Sequence, residues 1–158
     1  MSDVNVLSRA AYERLQAEHD DLTTRGRIEI AQAIERAREL GDLSENGDYH
    51  AAKDQQGWME ARIRELEKIL KNVVVVDEVP AGQVGPGSIV TLLYEGDDED
   101  QAERYLIGHI EERHDELDVI STGSPLGAAL DGHSLDEWVE YEAPNGKLRV
   151  KILAVEAG

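Results

Sequence analysis

The chain has 158 residues and is strongly acidic, with 34 Asp and Glu against 16 Lys and Arg and a net charge of −18. This charge argues against sequence-independent binding to bare DNA or RNA and against anionic membranes, because both need many basic side chains. Cysteine is absent, which excludes disulfides, zinc–cysteine sites and thiol catalysis. Without a membrane-spanning apolar run or a secretory signal, we expect a soluble, cytoplasmic protein.

The composition changes near residue 80. Residues 8–72 contain no Pro, whereas all four Pro and most of the Gly follow from Pro80 onward, together with runs of β-branched residues. Most of the positive charge lies before the change. We therefore predict a first domain at 1–78, a linker at 79–85 and a second domain at 86–158.

Residues 48–72 carry a heptad repeat whose spacing alternates between 3 and 4, which is typical of a coiled coil. Its seam positions are Tyr49, Ala52, Gln56, Met59, Ile63, Leu66 and Leu70. A looser seam runs through residues 8–40 and slips by one residue after Gly26, as a stutter does. Ser8 is the predicted N-cap of this first helix, and His19 is predicted to pack in the seam.

The segment 41–48 connects the two helical patterns. Gly41 stands where a glycine commonly ends a helix. Asp48, or Ser44 if the turn is tighter, is predicted to cap the second helix. Because a short connection makes two helices antiparallel neighbours, residues 1–78 predict a protruding coiled-coil hairpin with an acidic tip at 41–48. The short connection favours pairing within one chain, so we expect a monomer.

The second half predicts a small antiparallel β-sheet with one short helix, which makes the fold class α+β. Ser124 as N-cap and Pro125 at the first helical position predict the helix. We expect Trp138 to lie in the sheet core and Trp58 to pack against the first helix or the second domain. The predicted strands are Ser88–Tyr94, 103–110, 117–121, 138–142 and 148–155.

Two carboxylates at the tip suggest metal chemistry. Asp42 and Glu45 lie three residues apart at a tight turn, so they can converge on one ion; the alternative is that both are ordinary surface residues. Mg²⁺ is usually held by one or two carboxylates together with phosphates and water. A tip with two carboxylates therefore suits a phosphate-rich site that belongs to another molecule.

Two segments resemble the bacterial Gre transcript cleavage factors, the GreA type more than GreB. Residues 41–57 (GDLSENGDYHAAKDQQG) resemble the tip motif, and residues 124–127 (SPLG) resemble the C-terminal signature. The resemblance implies an FKBP-like second domain and a factor that enters the secondary channel of bacterial RNA polymerase. Such a factor is not itself the enzyme; it stimulates the polymerase to cleave the 3′ end of backtracked nascent RNA.

The resemblance also implies roles for individual residues. Asp42 and Glu45 would act in the polymerase active site and help to hold the second Mg²⁺, which the free protein does not bind stably. The basic residues Arg38, Lys53 and Arg36 would face the RNA, although helix pairs at i,i+4 are an alternative for all three. The residues of this chain that dock on the rim of the polymerase channel would be Ser124, Pro125, Leu126 and Gly127.

Two departures from the family pattern leave alternatives open. Ser44 replaces a residue that is usually basic, and Gly47 replaces a more typical Ala. A regulator that occupies the secondary channel without cleavage is therefore the second interpretation. A third is an independent enzyme such as a prolyl isomerase, which would need an apolar, aromatic-lined pocket, and a shared fold alone does not confer activity.

Overall fold

The computed structural model describes residues 4–42, 46–77 and 82–157. The predicted Ser44 and Glu45, and the first part of the predicted linker, lie outside these ranges. No helix within the ranges is long and apolar enough to cross a membrane. The elements are β1 (Asn5–Ser8), α1 (Arg9–Asp21), α2 (Arg27–Arg38), α3 (Gly47–Lys71), β2 (Val73–Val76), β3 (Ser88–Tyr94), β4 (Glu103–Gly108), β5 (Asp118–Ser121), α4 (Pro125–Leu130), β6 (Trp138–Ala143) and β7 (Gly146–Ala157).

The described residues form two compact units. One is the helical hairpin, Tyr12–Asn72; the other, the sheet domain, contains the residues before Tyr12 and those from Val73 onward. The predicted fold class, a helical hairpin followed by a small sheet domain with one short helix, is confirmed.

The hairpin buries the side chains that the heptad pattern selects. Leu15, Ile63 and Leu66 are at most 1% exposed, and Ala37 and Ala52 are also buried. Ion pairs flank this seam; Arg27 with Glu60 is largely exposed, and Arg62 with Glu18 is partly buried. Burial of the apolar seam stabilises the hairpin, and a largely exposed pair such as Arg27 with Glu60 contributes little.

The predicted stutter corresponds to a π-helical turn. Leu22–Gly26 forms this turn between α1 and α2, so one extra residue is accommodated and the seam keeps facing α3. A Cβ at Gly26 would lie 3.1 Å from Met59 Sδ. Gly26 therefore allows the two helices to approach closely at the irregular turn.

The sheet domain includes a two-stranded parallel sheet that the sequence analysis did not predict. Asn5 pairs with Val73 and Ser8 with Val76, so β1 and β2 lie within the predicted range 1–78 but belong to the sheet domain. The predicted cap is confirmed, because Ser8 Oγ accepts a hydrogen bond from Ala11 N–H. The same hydroxyl donates to the buried carboxylate of Glu112 at 2.6 Å.

The main sheet has five strands in the order β5-β4-β3-β7-β6. Every pair is antiparallel except β4 with β5, so the sheet is mixed rather than wholly antiparallel as predicted. The residues of its core are aliphatic, and α4 adds Leu130 to them. They are Val84, Val90, Leu92, Ile107, Leu130, Val139, Val150 and Ile152.

Both tryptophans lie at the surface, so the predicted packing of each is wrong. Trp58 is 80% exposed on α3. Trp138 begins the edge strand β6 and is 42% exposed, with the Arg149 guanidinium 5.1 Å from its ring centroid. The aliphatic side chains fill the sheet core without it. His19 is partly buried at the seam as predicted, and its Nε2 lies 3.9 Å from Glu67.

Candidate functional site

The candidate site is the tip of the hairpin, where α2 ends and α3 begins. The last turn of α2 is closed by a hydrogen bond from Leu40 N–H to Ala37 O at 3.1 Å. Gly41 follows with φ +129°, a left-handed conformation that glycine adopts without steric cost. The predicted glycine at the helix end is therefore confirmed, and Asp42 follows it on the exposed side of the turn.

Asn46 begins α3, and sequence reasoning missed it. Its side-chain oxygen accepts a hydrogen bond from Tyr49 N–H at 3.0 Å, the usual contact of an N-cap. Its side-chain amide donates to Ala37 O on α2, so one residue contacts both helices. The prediction that Asp48 caps the helix is wrong; Asp48 lies in the first turn, where its charge complements the helix dipole.

Asp42 and Asp48 line one shallow, open depression at the tip. Their oxygen ligands are of the type that Mg²⁺ prefers, but two carboxylates leave most of its octahedral coordination to other groups. Among the described residues, no cluster of three or more His, Cys, Asp or Glu could hold a metal ion. Asp42 and Asp48 by themselves therefore do not complete the coordination of a Mg²⁺ ion. The predicted ligand Glu45 is not described.

Three basic residues were predicted to face the RNA, namely Arg38, Lys53 and Arg36. The Arg38 guanidinium lies 6.0 Å from the centroid of the Tyr49 ring, so this contact joins α2 to α3. Lys53 Nζ donates to Gln56 Oε1 at 2.8 Å, one turn along α3. Arg36 is exposed beside a second shallow surface that also includes Asp48. The structure brings Arg38 to the tip itself, whereas Lys53 and Arg36 flank it.

The segment 124–127 has structural explanations within the sheet domain. Ser124 Oγ accepts from Gly127 N–H at 3.1 Å and donates to Ser121 O at 2.7 Å, so it caps α4 as predicted. Pro125 occupies the first turn, where its missing N–H costs nothing. A Cβ on Gly127 would lie 2.0 Å from Ser121 O, so only glycine fits there. Leu126 packs partly against the sheet core.

The tyrosines that an isomerase pocket would need are packed in the sheet domain. Tyr94, Tyr105 and Tyr141 all pack against its core. The hydroxyls of Tyr94 and Tyr141 lie 2.8 Å apart, and burial together with this contact raises the pKa of Tyr141 to about 12. These three rings are partly buried against the aliphatic core of the sheet domain. The tip is thus the better candidate.

Family models match almost the whole chain. The N-terminal model of the transcription elongation factors matches residues 5–75, and the GreA/GreB C-terminal model matches residues 79–157. Together they cover both the hairpin and the sheet domain.

Individual relatives agree with these matches. The chain is 44% identical to transcription elongation factor GreA of Streptomyces avermitilis, over 98% of this chain and 94% of the relative. It is 46% identical to transcription elongation factor GreA of Saccharopolyspora erythraea, over 99% of this chain and 97% of the relative. Among solved structures, GreA factor homolog 1 (Gfh1) of Thermus thermophilus is 30% identical, covers 98% of this chain and 100% of its own, and gives a TM-score of 0.39.

Proposed function

Because this chain belongs to the GreA family of transcription elongation factors, we propose that it enters the secondary channel of bacterial RNA polymerase and stimulates cleavage of backtracked nascent RNA. The polymerase would perform the hydrolysis, and this chain would complete its active site from the hairpin tip. Its place of action would be the cytoplasm.

The observation that carries this proposal is the contrast between the hairpin seam and its tip. The seam buries aliphatic side chains such as Ile63 and Leu66, and this burial stabilises the two helices that carry the tip. The tip presents Asp42 and Asp48 at an open depression, with Arg38 beside it. These charged groups are exposed to solvent, where a partner can reach them. They are suited to a ligand supplied from outside.

In the proposed mechanism, the tip residues act by charge and position. Asp42, with Glu45, would supply carboxylate oxygens next to the RNA 3′ end and orient the attacking water. Arg38 lies on the neighbouring helix end and would offset the charge of the RNA backbone. A Mg²⁺ ion shared with the polymerase and the RNA would activate the water or stabilise the leaving oxygen when bound.

The acidity of the chain is compatible with this role. A net charge of −18 disfavours capture of free nucleic acid. The RNA in a backtracked complex is already held by the polymerase, so the factor needs no high affinity for RNA of its own. We propose that residues 124–127 lie near the polymerase contact of the sheet domain, although their packing within the domain also explains Ser124 and Gly127.

A regulator without cleavage activity is the second candidate function. Gly47 favours it, because glycine as the first residue of α3 loosens the helix start next to Asp48. Such a protein would occupy the channel and slow elongation. Its tip would then fail to place Asp42 productively.

A stalled, backtracked elongation complex with 5′-labelled RNA tests the proposal. We expect the parent protein with Mg²⁺ to shorten the transcript, and the Asp42→Asn variant to bind the polymerase without doing so. Slower elongation without shortened RNA would favour the channel regulator. Absence of polymerase binding by the parent would contradict both functions.

A further inference from the structure

We infer that Asn46 is a positioning residue that fixes the reactive geometry of the tip by bridging the two helices of the hairpin. This inference rests on the proposed function. Asn46 carries no charge and is only partly exposed, so its contribution would be to hold the groups on either side of it.

The bridge begins on α2. Ala37 is only 3% exposed, and its carbonyl oxygen is one of the last acceptors of this helix. It accepts from Leu40 N–H within the helix end and also from the side-chain amide of Asn46. The carbonyl is therefore held by both helices, and Asn46 ties the start of α3 to a buried point at the end of α2.

The bridge continues into α3 through the carbonyl oxygen of the same side-chain amide. Asn46 Oδ1 accepts from Tyr49 N–H, and the backbone oxygen of Asn46 accepts from His50 N–H at 3.1 Å. These bonds set where the first turn of α3 begins. Tyr49 in turn lies under the Arg38 guanidinium, which gives a second contact between the helix ends.

Asp42 lies on the chain that joins these two fixed ends, and it shares the open depression with Asn46 and Asp48. If the amide of Asn46 releases Ala37, the start of α3 can move relative to α2, which changes the contact of Arg38 with Tyr49 and the position of Asp42 relative to Asp48. A displacement near 1 Å in a reacting group can lower a rate by about a hundredfold. Asn46 therefore acts on the catalytic step through Asp42 and Arg38.

Two variants separate bridging from capping. Asn46→Ser keeps an oxygen that ranks with Asn as an N-cap but lacks the amide that donates to Ala37 O. Asn46→Asp keeps both the shape and the acceptor for Tyr49 N–H, but its ionised carboxylate has no proton to donate to Ala37 O. We expect both to retain the helix content and thermal stability of the hairpin.

The kinetic measurement is RNA cleavage in the backtracked complex as a function of factor concentration. For both variants we expect the maximal rate to fall about tenfold, with the half-saturating concentration within about twofold of the parent. Asn145→Ser makes the same chemical change at the exposed turn between β6 and β7 and should leave both parameters unchanged. An unchanged maximal rate in the two Asn46 variants would overturn the inference.

A second measurement checks the bridge without the polymerase. In the parent, NMR should show slow hydrogen exchange for the Asn46 side-chain amide, because one of its protons is held by Ala37 O. Rapid exchange of both protons would overturn the bridge. If the amide is protected but the parent cleaves no RNA, then the proposed function fails, and with it the role of Asn46 in cleavage, while the bridge itself stands.

Discussion

The tip of the hairpin and the segment 124–127 both carry the family resemblance, but the structure gives different physical reasons for them. In the sheet domain, Gly127 is required by a carbonyl oxygen 2.0 Å from its would-be Cβ, and Ser124 closes the start of α4. At the tip, Asp42 and Arg38 are exposed and charged. One motif is explained largely by folding, whereas the other places exposed charges where a partner can reach them.

The largest effect that separates the two regions is expected from Gly127→Ala. The added methyl group collides with the Ser121 carbonyl, so we expect a loss of about 3 kcal/mol in the free energy of unfolding. Denaturant unfolding followed by circular dichroism measures it. Gly123→Ala is the matched control, because its Cβ would lie 3.7 Å from Ser121 Oγ, and it should cost less than about 0.5 kcal/mol. Equal stability of both variants would refute the steric explanation.

Asp42→Asn should reduce RNA cleavage while leaving stability nearly unchanged, in contrast to the loss of stability expected for Gly127→Ala. The substitution removes a charge from an exposed position, so we expect stability to change by less than about 0.5 kcal/mol. Stimulated RNA cleavage should fall about a hundredfold, the usual size of the loss when one electrostatic group is removed from an active site. Transcript shortening in the backtracked complex measures this loss. Asp54→Asn, an equal change of charge on the exposed surface of α3, should cleave like the parent.

Ser124→Ala is expected to destabilise the sheet domain less than Gly127→Ala does. Loss of the cap should cost about 1 kcal/mol of unfolding free energy, because Gly127 N–H and Ser121 O each lose a partner. Thermal unfolding checks this value. A variant with parent stability but weaker polymerase binding would show that Ser124 serves docking more than folding, which would weaken the contrast between the two regions.

The smallest effect is expected at an exposed ion pair outside both regions. The Arg9 guanidinium lies 2.7 Å from Asp77 and holds the pKa of that carboxyl below its usual range. A lowered folded-state pKa adds stability above the unfolded-state pKa, and this contribution is lost as the pH falls through the folded-state value. Arg9→Gln should return the Asp77 pKa toward its usual value in an NMR titration. An unchanged pKa would exclude Arg9 as the cause.

The parts of the fold with a local pattern could be predicted from the sequence. The seam spacing identified both helices, and the step after Gly26 corresponds to the π-helical turn at Leu22–Gly26. The β1–β2 sheet was missed because each strand has only four residues and its partner lies far away in the sequence. A pairing between two short strands that lie far apart in the sequence produces no local periodic pattern.

The candidate site was only partly predictable for related reasons. Asn46, Ser44 and Asp48 are all good N-cap residues, so propensity alone could not select Asn46. Its amide contact with Ala37 depends on how close the two helix ends come, which the sequence does not state. The available signal was that Asn46 is a polar residue between Ser44 and Asp48, the two residues that were predicted as N-caps. Trp138 was misplaced because its face on an edge strand depends on register.

The proposed function requires that the tip supply ligands for a Mg²⁺ ion shared with the polymerase. The most direct measurement is the Mg²⁺ dependence of RNA cleavage in a backtracked complex, with the parent or with the Asp42→Ala, Glu45→Ala double variant at saturating concentration. We predict that the parent lowers the Mg²⁺ concentration for half-maximal cleavage, whereas the double variant leaves it at the value of polymerase alone. The same Mg²⁺ dependence with parent and double variant would contradict the claim.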